Sequence, residues 1–391
     1  MRMDGNAPTS RSRLKSREPG LDLLRSLAIT MVAIFHMPRQ PMPRFLQPIQ
    51  DCGWIGVDLF FVLSGYLIGS QLLRPYTRNK VPSIRIFFVR RALRVLPAFL
   101  VVLLVYFLFP GFREQSYLPN LWRFLTFTQD FGLHAPAAFS HAWSLCVEEH
   151  FYLILPLLVL WLMREPKFWK AFAVALSVFF GGLLIRYAIW ANYLNPIASD
   201  PASDQLFAIR YWSLIYFPTY ARLDGLLVGV GLAAVRLFQP VWWNAVLSKC
   251  RMLLIASLIT IGAGVWITWD LYAFHAVVWG FPLIALGFGF LVLASFGLKF
   301  HFPGATTGAT LAYSIYLTHK EVMHLDRTYF GPVVAMNGGV EFAIYAMTIL
   351  GCGGILYLFV ERPFLQLRDQ IIPLFQVKTS ASKVVPSLTE F

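Results

Sequence analysis

Apolar residues in this chain come in long blocks, with none of the short alternation of a half-buried strand. Blocks separated by polar breaks lie near 21–37, 54–73, 92–110, 143–163, 168–190, 213–235, 252–271, 276–298, 308–324 and 338–360. A helix needs about 20 largely apolar residues to cross the hydrocarbon core of a bilayer, so each block predicts one transmembrane helix. The expected fold is an all-α polytopic membrane helix bundle with about ten transmembrane helices. It divides into a basic N-terminal segment at 1–20, a transmembrane domain at 21–362 and a tail at 363–391, where TSASKVVPSLTEF reads as mobile and no second folded domain is expected.

Composition agrees: 57% hydrophobic residues, 14% charged and a mean hydropathy of +0.60 exclude an ordinary soluble domain. The net charge of +13 would suit nucleic acid, but the basic residues sit where topology needs them. With the N-terminus inside, most of the 33 Lys and Arg fall on the inner side, so both termini are expected in the cytoplasm and no nucleic-acid partner is expected. Cys52, Cys146, Cys250 and Cys352 form no CxxC and read as packing residues. Three outer segments, 38–53, 111–142 and 192–212, are long enough to shape a mouth.

Candidate chemistry begins in the first block, LDLLRSLAITMVAIFH. Arg25 and His36 are eleven residues apart, which returns the side chain to within roughly 20° of its first direction about 16 Å further along. Asp22, one turn before Arg25, is placed to hold the guanidinium. Ionisable groups at the centre of a span cost roughly 2.5–3.5 kcal/mol each, so this face is expected to look into protein or a wet cavity. A snorkelling Arg25 and a helix-ending His36 are the plainer alternative.

Further polar residues interrupt the other blocks. Asp58 stands among Gly53, Gly56 and Gly65, where close helix approach would give it a partner, and Ser64 and Tyr66 follow deeper in the span. Arg90, Arg91 and Arg94 crowd the start of the third block; guanidinium forks suit phosphate, while topology signalling and anionic lipid are the plainer reading. Glu148 and Glu149 point about 100° apart, so one of them can face His36 and raise its basicity, while Glu148 and Tyr152 share a face. Arg186, Arg222 and Asp224 suggest mutual ion pairs. Tyr313, Tyr316 and His319 follow at i, i+3, i+6, as a path for an acceptor or an interfacial anchor. HExxH, zinc-ligand spacing, a Walker loop, GxGxxG and GxSxG are all missing, so no metal is expected.

Together LDLLRSLAITMVAIFH, GVDLFFVLSGYLI, RRALRVLP, HAWSLCVEEHFYLILP, ARLDGLLVG and AYSIYLTH resemble, in order, the acyltransferase family 3 membrane proteins. The resemblance implies O-acylation of extracytoplasmic glycans from cytoplasmic acyl-CoA, acetyl-CoA being the commonest donor. It implies a multi-pass protein of a bacterial inner membrane, with Arg25 and His36 essential and the R-x-x-R pair, Arg91 and Arg94, on the donor side. Some members carry a fused esterase-like domain, which is not expected here. On this reading His36 is the base, with Glu148, Glu149 and Asp58 as further catalytic candidates. Arg25, Arg90, Arg91, Arg94, Ser64 and Tyr66 would serve the donor, and Tyr152, Tyr313, Tyr316 and His319 a glycan or glycolipid acceptor. One tunnel would join the two sides. The rival class is a glycan or lipid transporter using the buried ions as a gate.

Overall fold

The structure is a computed structural model and describes residues 18–39, 42–198, 200–297, 302–334 and 338–381. The basic positions Arg2 to Arg17, Lys299 and Lys383 lie outside the described residues, as do residues 382–391 of the tail. Among the described residues all regular structure is helical. The longer helices are α1 (Pro19–His36), α2 (Gly56–Leu73), α3 (Ile84–Leu108), α4 (Trp143–Leu162), α5 (Phe168–Ile189), α6 (Asp224–Phe238), α7 (Pro240–Leu247), α8 (Cys250–Ile267), α9 (Phe281–Gly297), α10 (Ala305–Val334), α11 (Gly338–Leu356) and α12 (Arg362–Ala381).

Among the described residues eight segments are long and apolar enough to cross a membrane, or nine if α6 and α7, bent by 111° at Gln239, are one span. The sequence suggested about ten. The ninth block is present as α10, whose 30 residues exceed a membrane's thickness, but Lys320, Glu321, Asp326 and Arg327 reduce its hydropathy. The sixth block is not one continuous helix. A π-helical turn at Trp212–Tyr216 stops before Pro218, and α6 starts only at Asp224. Proline at 218 has no N–H to continue the helical ladder. Residues 363–381 of the tail are helical, and α12 packs on α3 with the Arg85 guanidinium 4.7 Å from the Phe375 ring centre.

Small residues set the closest crossings. A Cβ on Gly65 of α2 would overlap the Leu226 carbonyl oxygen, and one on Gly229 of α6 would overlap the Val62 carbonyl oxygen and the Tyr66 nitrogen. The two backbones therefore touch, which suits membrane helices, where van der Waals packing stands in for the hydrophobic effect. Helix α1 lies between α2 and α10; Ser26 donates to the Ala305 carbonyl at 2.7 Å across the second of these contacts. These crossings hold α1, the helix of Arg25 and His36, against α2 and α10.

The segment between α3 and α4 folds back on the bundle. Phe99, Tyr106, Phe124 and Phe139 stack there, all buried. Glu114 ties the segment down by accepting from the Tyr106 hydroxyl at 2.9 Å and the Phe139 N–H at 3.0 Å.

Candidate active site

His36 is the last residue of α1, and its partner is the imidazole of His319 on α10. His319 Nδ1 lies 2.8 Å from the Tyr316 carbonyl and 3.2 Å from that of Ile315. Carbonyls only accept, so Nδ1 is assigned the proton and Nε2 the lone pair. That Nε2 faces His36 Nδ1 at 3.2 Å, and the Val32 carbonyl accepts from the same Nδ1 at 2.9 Å. His36 therefore carries its proton on Nδ1 and a lone pair on Nε2. Two consecutive imidazoles, each oriented by backbone carbonyls one turn earlier, fix a neutral base.

The imidazole borders a cavity of about 180 Å³ lined also by Trp54, His141, Trp143, Tyr216 and Tyr316. Tyr316 donates to the His141 carbonyl at 2.7 Å and meets the Ser144 hydroxyl at 2.5 Å. These bonds pin α10 to the start of α4 and close one wall. A third imidazole, His141, stands 5.0 Å from His319 between ring centres.

A second cavity, about 480 Å³, is lined by Gln71, Arg90, Arg91, Arg94, Arg368 and Asp369, with Ile372 and Pro373. The arginine cluster on α3 thus does surround a space, and α12 supplies a fourth guanidinium that the tail reading missed. Arg94 also lies 3.8 Å from Glu361, which accepts from Ser314 at 2.8 Å. The two cavities share no lining residue, so the single tunnel expected from the sequence does not join them in this structure. Arg25 lines neither; it meets Asp22 at 3.4 Å, the pairing expected from the i, i+3 spacing.

Several sequence expectations need correction. Glu148 does not orient His36. It accepts from Ser64 at 2.6 Å and Tyr152 at 3.0 Å, because the face of α4 that carries 148 and 152 packs toward α2. Glu149, half-buried, lines neither cavity. Tyr152 belongs to the arginine end instead of the acceptor end, with the Arg91 guanidinium 4.8 Å from its ring centre. Ser64 is committed to Glu148, and Tyr66 accepts from Arg236, which also binds Glu18 at 2.7 Å, so neither lines the arginine cavity. Asp58 is the counter-ion of Arg222 at 2.9 Å, both buried. Arg186 pairs with Asp224 through two contacts of 2.7 and 3.2 Å, so the ion pairs form crosswise between helices.

Tyr313, Tyr316 and His319 do not form one stripe, because each three-residue step turns the side chain by about 60°. Tyr313 turns to the Val95 carbonyl at 2.8 Å, Tyr316 to the first cavity and His319 to His36. Sequence reasoning missed Glu114, His141, Lys320 and Glu321. Lys320 reaches Ser140 at 2.9 Å and Glu114 at 3.1 Å, and His141 lies 3.8 Å from Glu321, all beside the His36–His319 pair. The signal available was the polar run HKE at 319–321 inside an otherwise apolar block.

The architecture defines a polytopic helical membrane protein with a histidine pair at one cavity and an arginine cluster at another. The chain belongs to the Acyl_transf_3 family, described as an acyltransferase domain, whose model matches residues 18–358. It is 31% identical over 238 residues to the peptidoglycan O-acetyltransferase OatA of Listeria monocytogenes, covering 56% of this chain and 34% of that one. It is 27% identical over 374 residues to the O-acetyltransferase OatA of Staphylococcus aureus strain NCTC 8325, covering 88% and 57%. A third relative, from Staphylococcus aureus strain MRSA252 and only provisionally named an O-acetyltransferase, is 27% identical over 392 residues. The chain spans 60% of the length of that relative. No solved structure matches the chain.

Proposed function

We propose that this protein is a membrane O-acetyltransferase that moves an acetyl group from cytoplasmic acetyl-CoA to a hydroxyl of an extracytoplasmic glycan or glycolipid. The observation that carries the reading is His36, oriented by His319 and bordering a cavity, in a chain of the acyltransferase family. The relatives named O-acetyltransferases support the acetyl group, and a bacterial inner membrane is the matching location.

On this reading the arginine cavity is the donor side. Arg90, Arg91, Arg94 and Arg368 offer guanidinium forks to the phosphates of CoA. The thioester reaches toward His36 when the packing between the two cavities opens. At the other end a sugar hydroxyl enters beside His36. Its oxygen attacks the thioester carbonyl carbon while its proton passes to His36 Nε2. The carbon–sulfur bond then breaks, and the thiolate takes that proton on departure. His319 holds His36 in the tautomer this needs. Proton transfer to a placed base contributes roughly 10²- to 10⁴-fold, and holding both substrates in line contributes more.

Proteoliposomes test this directly. Vesicles carrying the full chain are loaded with radiolabelled acetyl-CoA on the side of the arginine cavity, with peptidoglycan fragments or envelope polysaccharide outside. Label is expected on external glycan as an alkali-labile ester. Label that stays on CoA with every glycan class tried would refute the proposal.

A further inference from the structure

Beside the histidine pair lies a cluster to which the proposed acyl transfer assigns no proton or group-transfer step. Glu321 on α10 is wholly buried, yet neither carboxylate oxygen has a hydrogen-bond partner. His141, 4% exposed, has none at either ring nitrogen. The two groups face each other with Nε2 3.8 Å from Oε1, too long for a hydrogen bond. An unsatisfied buried carboxylate costs several kcal/mol or more, so something is expected to occupy the space between these atoms. Glu114 completes a set of three: one ligand atom from each of Glu114, His141 and Glu321 lies within 4.8 Å of the others.

We propose that Glu114, His141 and Glu321 bind a divalent transition-metal ion, zinc-like in its preferences, that clamps the segment between α3 and α4 onto α10.

The donor set, two carboxylates and one imidazole, suits an ion. Zinc bonds to imidazole nitrogen and carboxylate oxygen are about 2.0–2.2 Å, so two ligands at the tetrahedral angle stand about 3.3–3.6 Å apart. The His141–Glu321 separation of 3.8 Å is within a few tenths of an ångström of that. The widest separation in the set, up to 4.8 Å, needs the side chains to close by roughly 1.2–1.5 Å when the ion binds. Glu114 has capacity left: Oε1 accepts from the Phe139 N–H and forms an ion pair with Lys320, while Oε2 accepts only from Tyr106 and keeps one lone pair. Lys320 retains Ser140 as a second partner and can shift toward it when the ion binds. One nitrogen and two carboxylates without sulfur suit zinc, cobalt or manganese better than copper(I). The sequence concealed the site, since its ligands come from positions 114, 141 and 321 with no motif spacing.

The test does not depend on acyl transfer, so it can fail while the proposed function stands. The full-length protein is purified in detergent, stripped with chelator and titrated with Co²⁺, then with Zn²⁺. One equivalent of Co²⁺ is expected to give visible ligand-field bands that Zn²⁺ abolishes, and Zn²⁺ is expected to raise Tm by several degrees. Glu321→Gln and His141→Gln should each weaken Co²⁺ binding at least tenfold, whereas Asp326→Asn, on the same helix, should not. Wild-type protein that folds but gives no bands and no rise in Tm would overturn the site. So would bands that persist at full strength in both ligand variants.

Discussion

Replacing Asp58 by alanine separates a structural acid from a catalytic one. The sequence marked Asp58 as a catalytic candidate, but the structure makes it the ion partner of Arg222 at 2.9 Å, with both side chains buried. The remaining surroundings of the guanidinium are rings, with Phe281, Tyr216 and Trp143 centred 3.7, 4.8 and 5.3 Å away. Removing one member of a buried pair usually costs about 3–5 kcal/mol, because the other is left uncompensated. The rings survive in Asp58→Ala, and a desolvated cation over an aromatic face recovers up to about 2 kcal/mol, so the low end, about 3 kcal/mol, is expected. Asp58→Leu combined with Arg222→Met removes both charges and should return to within about 1 kcal/mol of wild type. Equilibrium unfolding in mixed micelles measures both, and acetyl transfer per folded molecule is measured alongside. An Asp58→Ala protein as stable as wild type but inactive would refute the structural assignment. A double variant no more stable than the single would refute the ion-pair reasoning.

Other outcomes follow from the same geometry. Gly229→Leu should cost more than about 3 kcal/mol and lower the folded yield, since its side chain would meet the α2 backbone, while Gly231→Leu, with open space at its Cβ, should leave the yield unchanged. His319→Ala should lower transfer roughly ten- to hundredfold, less than loss of His36 itself, with KM for the donor unchanged. Arg91→Ala and Arg94→Ala should each raise KM for acetyl-CoA about tenfold at near-constant kcat, because phosphate contacts stabilise bound donor and transition state alike. Glu148→Gln should keep KM for the glycan and alter that for the donor, consistent with its place beside Tyr152 and Arg91.

Hydropathy and periodicity made the helical bundle and the Arg25–Asp22 pair readable from residues alone. The cluster of Arg90, Arg91 and Arg94 was readable as a cluster, but its spacing favoured topology signalling and lipid, and the cavity it lines with Arg368 of α12 was not foreseen. What could not be read was the rotation of one helix against another. Glu148 satisfies the local rule that pairs it with Tyr152, but only the packing of α4 decides that this face meets α2 instead of α1. The partner of His36 lies 283 residues away. In α10, two of the four residues that reduce its apolar score, Lys320 and Glu321, are those that stand beside the His36–His319 pair.

The central claim is that His36 takes the acceptor's proton. Single-turnover acetyl transfer in donor-loaded proteoliposomes, comparing wild type with His36→Ala at equal folded protein, tests it most directly. The account predicts a fall of at least about 100-fold with donor binding intact. Transfer by the variant at a rate close to wild type would contradict it.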